Sequence, residues 1–157
     1  MKTITNQKST ATYWFYKAAS LWQDGKWTDP KKAIEYLNKA IRIKSDFADA
    51  YVNRGTIYDS LGQYLRAIED YSKAIRIAPN YADAYYNRGI VYENLGQRQR
   101  ASEDVSEALR LKPDLALAYY DQVVTAADGQ KVFTASGIHL QQLCQQTTEY
   151  FLISTRQ

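Results

Sequence analysis

The chain has 157 residues, of which 45% are apolar, and a formal net charge of +3; that content suffices for one ordinary globular domain and excludes a disordered tail. No Lys/Arg run suited to a phosphate backbone or an anionic lipid surface occurs, and acidic residues are interspersed throughout. Residues 1–15 hold no apolar stretch of signal-peptide length, no apolar run reaches membrane-spanning length, and the single cysteine, Cys144, cannot form an internal disulfide; the expectation is a soluble, cytoplasmic protein.

Pro and Gly are scarce and strand-like alternation is hard to find, so helices are predicted to dominate. Residues 1–11 read as an N-terminal extension. Over 12–47, Trp14, Ala18, Leu21, Gly25 and Trp27 suggest a first helix near 12 to 24 and its turn, followed by a second helix carrying Ala33, Leu37, Ala40 and Ile41. Asp29-Pro30 supplies the restart, with Asp as N-cap and Pro at the first helical position.

Residues 48–81 and 82–115 write nearly the same phrase twice, AYVNRGTIYDSLG and AYYNRGIVYENLG, one period of 34 residues apart. Self-similarity at such a period marks a stacked repeat architecture. In each unit Tyr51, Gly55, Tyr58 or Tyr85, Gly89, Tyr92 share one helical face. A Gly within a helix is unfavourable by about 1 kcal/mol relative to Ala, which predicts close approach of the second helix, here through Ala67 and Ala101. Gly62 and Gly96 are positioned as C-caps, and Pro79 and Pro113 close the units. The first unit, 12–47, diverges: its turn is three residues longer, and Ser45 stands where Pro would. Residues 116–157 begin like another first helix, near 116 to 127, and continue as a partial fourth repeat and a capping helix bearing Leu140, Leu143, Cys144, Thr147 and Phe151.

These residues resemble the tetratricopeptide repeat (TPR) family, whose 34-residue unit has an aromatic, a small residue, an aromatic, a turn Gly, two Ala positions and a closing Pro. The resemblance implies an all-α fold, a right-handed α-solenoid of antiparallel helix pairs with C-terminal capping helices. It also implies that the first helices line a concave wall. The family most often has Leu where Arg54 and Arg88 stand, and Asp70 and Asp104 follow each Arg at the same offset, so each Arg and Asp are expected to pair between the two helices of a unit.

No catalytic constellation is found. His139 and Cys144 point to different sides of a helix, and the adjacent acids Glu69-Asp70 and Glu103-Asp104 splay apart instead of converging on a substrate. No metal-ligand cluster or phosphate-cradling Gly motif occurs, so no enzyme activity, metal or cofactor is expected.

A wheel of 100 degrees per residue puts Asp49, Val52, Asn53, Thr56, Asp59 and Ser60 on one arc away from the Tyr51–Gly55–Tyr58 stripe, and Asp83, Tyr86, Asn87, Ile90, Glu93 and Asn94 on the matching arc. Similar repeats often carry an Asn at the place of Asn53 and Asn87 that bonds a ligand peptide's backbone, a task suited to an amide. The candidate partner-binding residues are therefore Asn53, Asn87, Asp49, Thr56, Asp59, Asp83, Tyr86, Ile90, Glu93 and Asp121, with Phe15, Tyr16 and Trp22 making one end aromatic. The Lys and Asn of the co-chaperone type of repeat, which clamp a C-terminal carboxylate, would fall on Phe15 and Ala19 or on Val52 and Thr56, so that clamp is missing.

An acidic wall favours a basic or amphipathic protein segment and argues against nucleic acid; no membrane partner is expected. The reading is a non-catalytic interaction module, as a monomer or a weak homodimer through the C-terminal helix. The alternatives are a self-associating structural or regulatory subunit of a larger assembly and an RNA-binding helical repeat.

Overall fold

The computed structural model describes residues 10–115. In chain order these form α1 (Ala11–Ala19), β1 (Trp22–Gln23), β2 (Lys26–Trp27), α2 (Pro30–Ile43), α3 (Ala48–Ser60), α4 (Tyr64–Ile77), α5 (Ala82–Asn94) and α6 (Arg98–Leu111). Helices pair as α1/α2, α3/α4 and α5/α6, and each pair stacks on the next through α2/α3 and α4/α5. The result is an α-solenoid of helix pairs. The fourth first helix and the capping helix expected beyond residue 115 lie outside the described residues.

Local chemistry sets the boundaries. Asp29 caps α2, its Oδ1 accepting from the Lys32 N–H at 3.0 Å, with Pro30 opening the helix. Thr10 does the same for α1 through the Tyr13 N–H at 3.2 Å. At the end of α3 the Gln63 N–H reaches the Tyr58 carbonyl and the Gly62 N–H reaches the Asp59 carbonyl, both at 2.8 Å, and Gly62 takes φ 69°. This is a Schellman ending, which needs a left-handed residue that Gly adopts without a Cβ clash. Gln97, Gly96, Tyr92 and Glu93 repeat it at the end of α5.

The first unit departs from the expectation. Its helix ends at Ala19, not near residue 24, and the longer turn is an antiparallel hairpin with Trp22 opposite Trp27 and Gln23 opposite Lys26. Asp24 and Gly25 both have positive φ, 50° and 75°, the backbone that an Asp-Gly hairpin turn requires. The Trp22 and Trp27 rings meet edge-on at 5.0 Å, and the Thr28 N–H and hydroxyl both donate to the Leu21 carbonyl, at 2.8 and 3.0 Å. Local turn chemistry thus overrides the helical period.

The two helical glycines are packed against, though not chiefly by the alanines expected. A Cβ on Gly55 would lie 2.8 Å from the Tyr71 ring, and one on Gly89 would lie 2.9 Å from Val105 Cγ2 and 3.3 Å from the Ala101 carbonyl oxygen. The core runs continuously along the stack. Ala50 and Ile57 of α3 pack into the first unit's cluster with Leu37 and Ala40, while Tyr51 and Val52 of the same helix pack with Ala67, Tyr71 and Ala74. α3 is therefore buried on two sides, toward its own partner helix and toward the preceding unit.

Candidate functional site

The face to consider lies where successive first helices approach one another. α3 packs directly on α5, whereas the second helices α2, α4 and α6 meet one another marginally at most. The first helices of these two units thus touch, and their residues that face away from the second helices are the candidate surface.

Asn53 and Asn87 occupy the same position in α3 and α5, are partly buried, and make no side-chain hydrogen bond among the described residues. Two donors and an acceptor per amide are thereby open to a ligand. Ile90 and Tyr86 are partly buried and Glu93 is exposed; burial raises the Tyr86 hydroxyl above its usual value. Asp59 is partly buried and has no partner for its carboxylate among the described residues, and burial raises that carboxyl above the usual range.

Other candidates are engaged within the protein. Asp49 accepts from the Tyr81 hydroxyl at 2.6 Å, and Asp83 pairs with Lys112 at 3.5 Å. Thr56 donates to the Val52 carbonyl at 3.0 Å and accepts from the Tyr71 hydroxyl at 3.3 Å. Val52, expected on the open arc, is buried in the core, because the apolar side of α3 is wider than a single stripe. Asp121 lies outside the described residues. Of the aromatic end, Phe15 packs on Phe47 at 5.0 Å between ring centroids, while Tyr16 and Trp22 are exposed.

The wall is held by a repeated bridge. Arg54 Nε and Nη2 donate to Asp70 Oδ2 and Oδ1 at 2.7 and 2.6 Å, and its Nη1 donates to Asn38 Oδ1 at 2.5 Å. Arg88 repeats this with Asp104 at 2.7 and 2.8 Å and Ser72 Oγ at 2.8 Å. Each guanidinium also lies near two tyrosine rings, Tyr51 and Tyr58 at 5.5 and 6.0 Å, or Tyr85 and Tyr92 at 5.8 and 5.9 Å. For Arg88 the Asp104 hydrogen bond outweighs burial and raises its pKa. The pairing within a unit was expected; the third contact, to the preceding unit's second helix, was missed. Its only signal was that Asn38 and Ser72 stand one period apart.

Among the described residues no group of three or more His, Cys, Asp or Glu could hold a metal ion, and no helix is long and apolar enough to cross a membrane.

Three tetratricopeptide repeat models match the chain, over residues 36–69, 55–96 and 82–115. No curated protein sequence matches it. Among solved structures, MamA is 32% identical with a TM-score of 0.61, the alignment covering 69% of this chain and 62% of that one. The chain thus spans less than two thirds of MamA's length. The TPR domain of Arabidopsis OM64 is 27% identical, TM-score 0.63, with 69% of this chain and 87% of that one covered. YrrB, described as a TPR protein with an unusual peptide-binding site, is 25% identical, TM-score 0.63, with 72% and 57% covered.

Proposed function

The chain belongs to the tetratricopeptide repeat family, and on that footing we propose that it is a non-catalytic protein-interaction module holding a peptide segment of a partner against the first-helix wall. The observation that carries this is the pair of partly buried amides of Asn53 and Asn87, at one position of successive units and without a side-chain partner among the described residues. An amide offers both donors and an acceptor, which suits the donors and acceptors of a peptide backbone. The likeness to YrrB, described with a peptide-binding site, supports the same reading.

The residues assigned to contact the partner are Asn53, Asn87, Asp59, Tyr86, Ile90 and Glu93. Asp49, Asp83 and Thr56 support the wall through their own bonds, with their outer edges left to the segment. A basic or amphipathic segment suits the wall's carboxylates. The proposal includes a cytoplasmic protein, monomeric or weakly dimeric through its C-terminal residues. Affinity capture from the native lysate tests it: partners retained by the wild type should be lost from an Asn53→Ala/Asn87→Ala double variant that melts like the wild type, and equal retention refutes the groove.

A further inference from the structure

We infer that Asp59 is the specificity-determining position of this wall, placed to receive a Lys or Arg side chain of the bound segment; the inference rests on the wall being the groove. Every other described carboxylate withdrawn from solvent to a similar degree or more has a partner within the chain. Asp29 has the Lys32 N–H, Asp70 has Arg54, Asp83 has Lys112, Asp104 has Arg88 and Glu107 has Arg110. Asp59 alone has none.

Its location is unfavourable twice over. Partial burial strips water from the charged form. The residue also lies in the last turn of α3, where the helix presents the negative end of its dipole and an acid is disfavoured. Asp49, by contrast, stands in the first turn, where an acid is favoured. The polar neighbours give no relief, since the Tyr71 hydroxyl donates to Thr56. An acid kept where it weakens the fold, with no compensating partner among the described residues, is the mark of a functional residue.

A cation on the incoming segment removes both penalties at once, and Asp59, six residues beyond Asn53, stands about 120° around the helix at the other edge of the same arc, so a segment that spans the arc can meet the amide and the acid. The position is confined to the middle unit. Its counterpart in α5, Glu93, is exposed, and Trp22 stands at the counterpart in the first unit.

The test selects short random peptides on the full chain and measures the recovered peptides against wild type, Asp59→Asn, Glu93→Gln and Asn53→Ala/Asn87→Ala. The recovered peptides should share one Lys or Arg. Changing it to Gln, or changing Asp59 to Asn, should each weaken binding about tenfold or more, and both together no further. Glu93→Gln, at an exposed contact of the same wall, should weaken it several-fold less than Asp59→Asn does. Asp59→Asn should melt at or above the wild-type temperature.

Undiminished binding to Asp59→Asn, or coupling of the basic residue to Glu93 instead, overturns the inference. So does an Asp59→Asn chain that melts lower, because the carboxylate would then be supporting the fold. Peptides that lose affinity for the Asn53→Ala/Asn87→Ala variant while binding Asp59→Asn undiminished leave the groove standing and sink only this inference. Peptides indifferent to both, or none recovered, sink both.

Discussion

Arg54 and Asp70, sixteen residues apart, form a two-pronged ion pair at 2.7 and 2.6 Å that ties the two helices of the middle unit, and the same guanidinium reaches back to Asn38 of the preceding unit. Both side chains are largely withdrawn from solvent, at 19% and 8% exposure, so loss of one leaves the other poorly solvated. Arg54→Ala and Asp70→Ala should each destabilise the fold by about 2 kcal/mol, and the double change by less than their sum. Urea denaturation of the four proteins measures this; strict additivity would show that the pair contributes nothing. Asn38→Ala should give a smaller loss, about 1 kcal/mol.

Gly55 faces the fully buried ring of Tyr71, and a Cβ there would come within 2.8 Å of it. Helix propensity alone predicts that Gly55→Ala stabilises by about 1 kcal/mol. Crowding a packed ring opposes this by about 1 to 3 kcal/mol, so the net change should be a loss. A thermal melt decides the sign, and a stabilised Gly55→Ala would mean that the ring shifts freely.

The repeating period, the Schellman glycines, the Asp29-Pro30 restart and the Arg–Asp pairs were all legible in the sequence, because each is fixed by spacing within one unit. What spacing could not reveal is contact between units. Ala50 and Ile57 pack toward the first unit while Tyr51 and Val52 pack toward α4, so α3 shows no single apolar stripe and Val52 was misplaced on the open arc. The hairpin at Trp22–Trp27 was hidden because two-residue strands carry no alternation; Asp24-Gly25 was its one signal. The open arc was legible as a set of positions, but which of its polar groups are already used, as Asp49 and Thr56 are, depends on neighbours that only packing brings near.

Asp59 gives a pH prediction. Burial raises its folded-state carboxyl above the usual value of 3.8, so the folded chain holds the proton more tightly than the unfolded chain does. Above both values this makes the ionised acid a destabilising element, and the penalty vanishes as pH falls below the unfolded value. The stability difference between Asp59→Asn and wild type should therefore favour the variant increasingly as pH rises through the acid range, then level off. A difference independent of pH across that range would show that Asp59 titrates normally.

Binding to a basic segment should also depend on salt. Exposed charges lose most of their attraction beyond a screening length of about 8 Å at physiological ionic strength. Affinity should fall as salt rises, Glu93→Gln should flatten that dependence slightly, and Asn53→Ala or Asn87→Ala should weaken binding by about 0.5 to 1.5 kcal/mol each at every salt concentration. Isothermal titration with a selected peptide at three ionic strengths measures both effects, and a salt-independent affinity would argue against a basic segment.

The most direct measurement of the central claim, that the first-helix wall is the binding surface, is amide chemical-shift mapping of the isotope-labelled chain titrated with a selected peptide. The largest changes should fall on α3 and α5, at Asn53, Thr56, Asp59, Asn87 and Ile90, with the Asn53 and Asn87 side-chain amides among them. Changes concentrated instead on the outer helices α4 and α6, around Leu65 or Gln99, or on the residues beyond 115, with Asn53 and Asn87 unmoved, would contradict it.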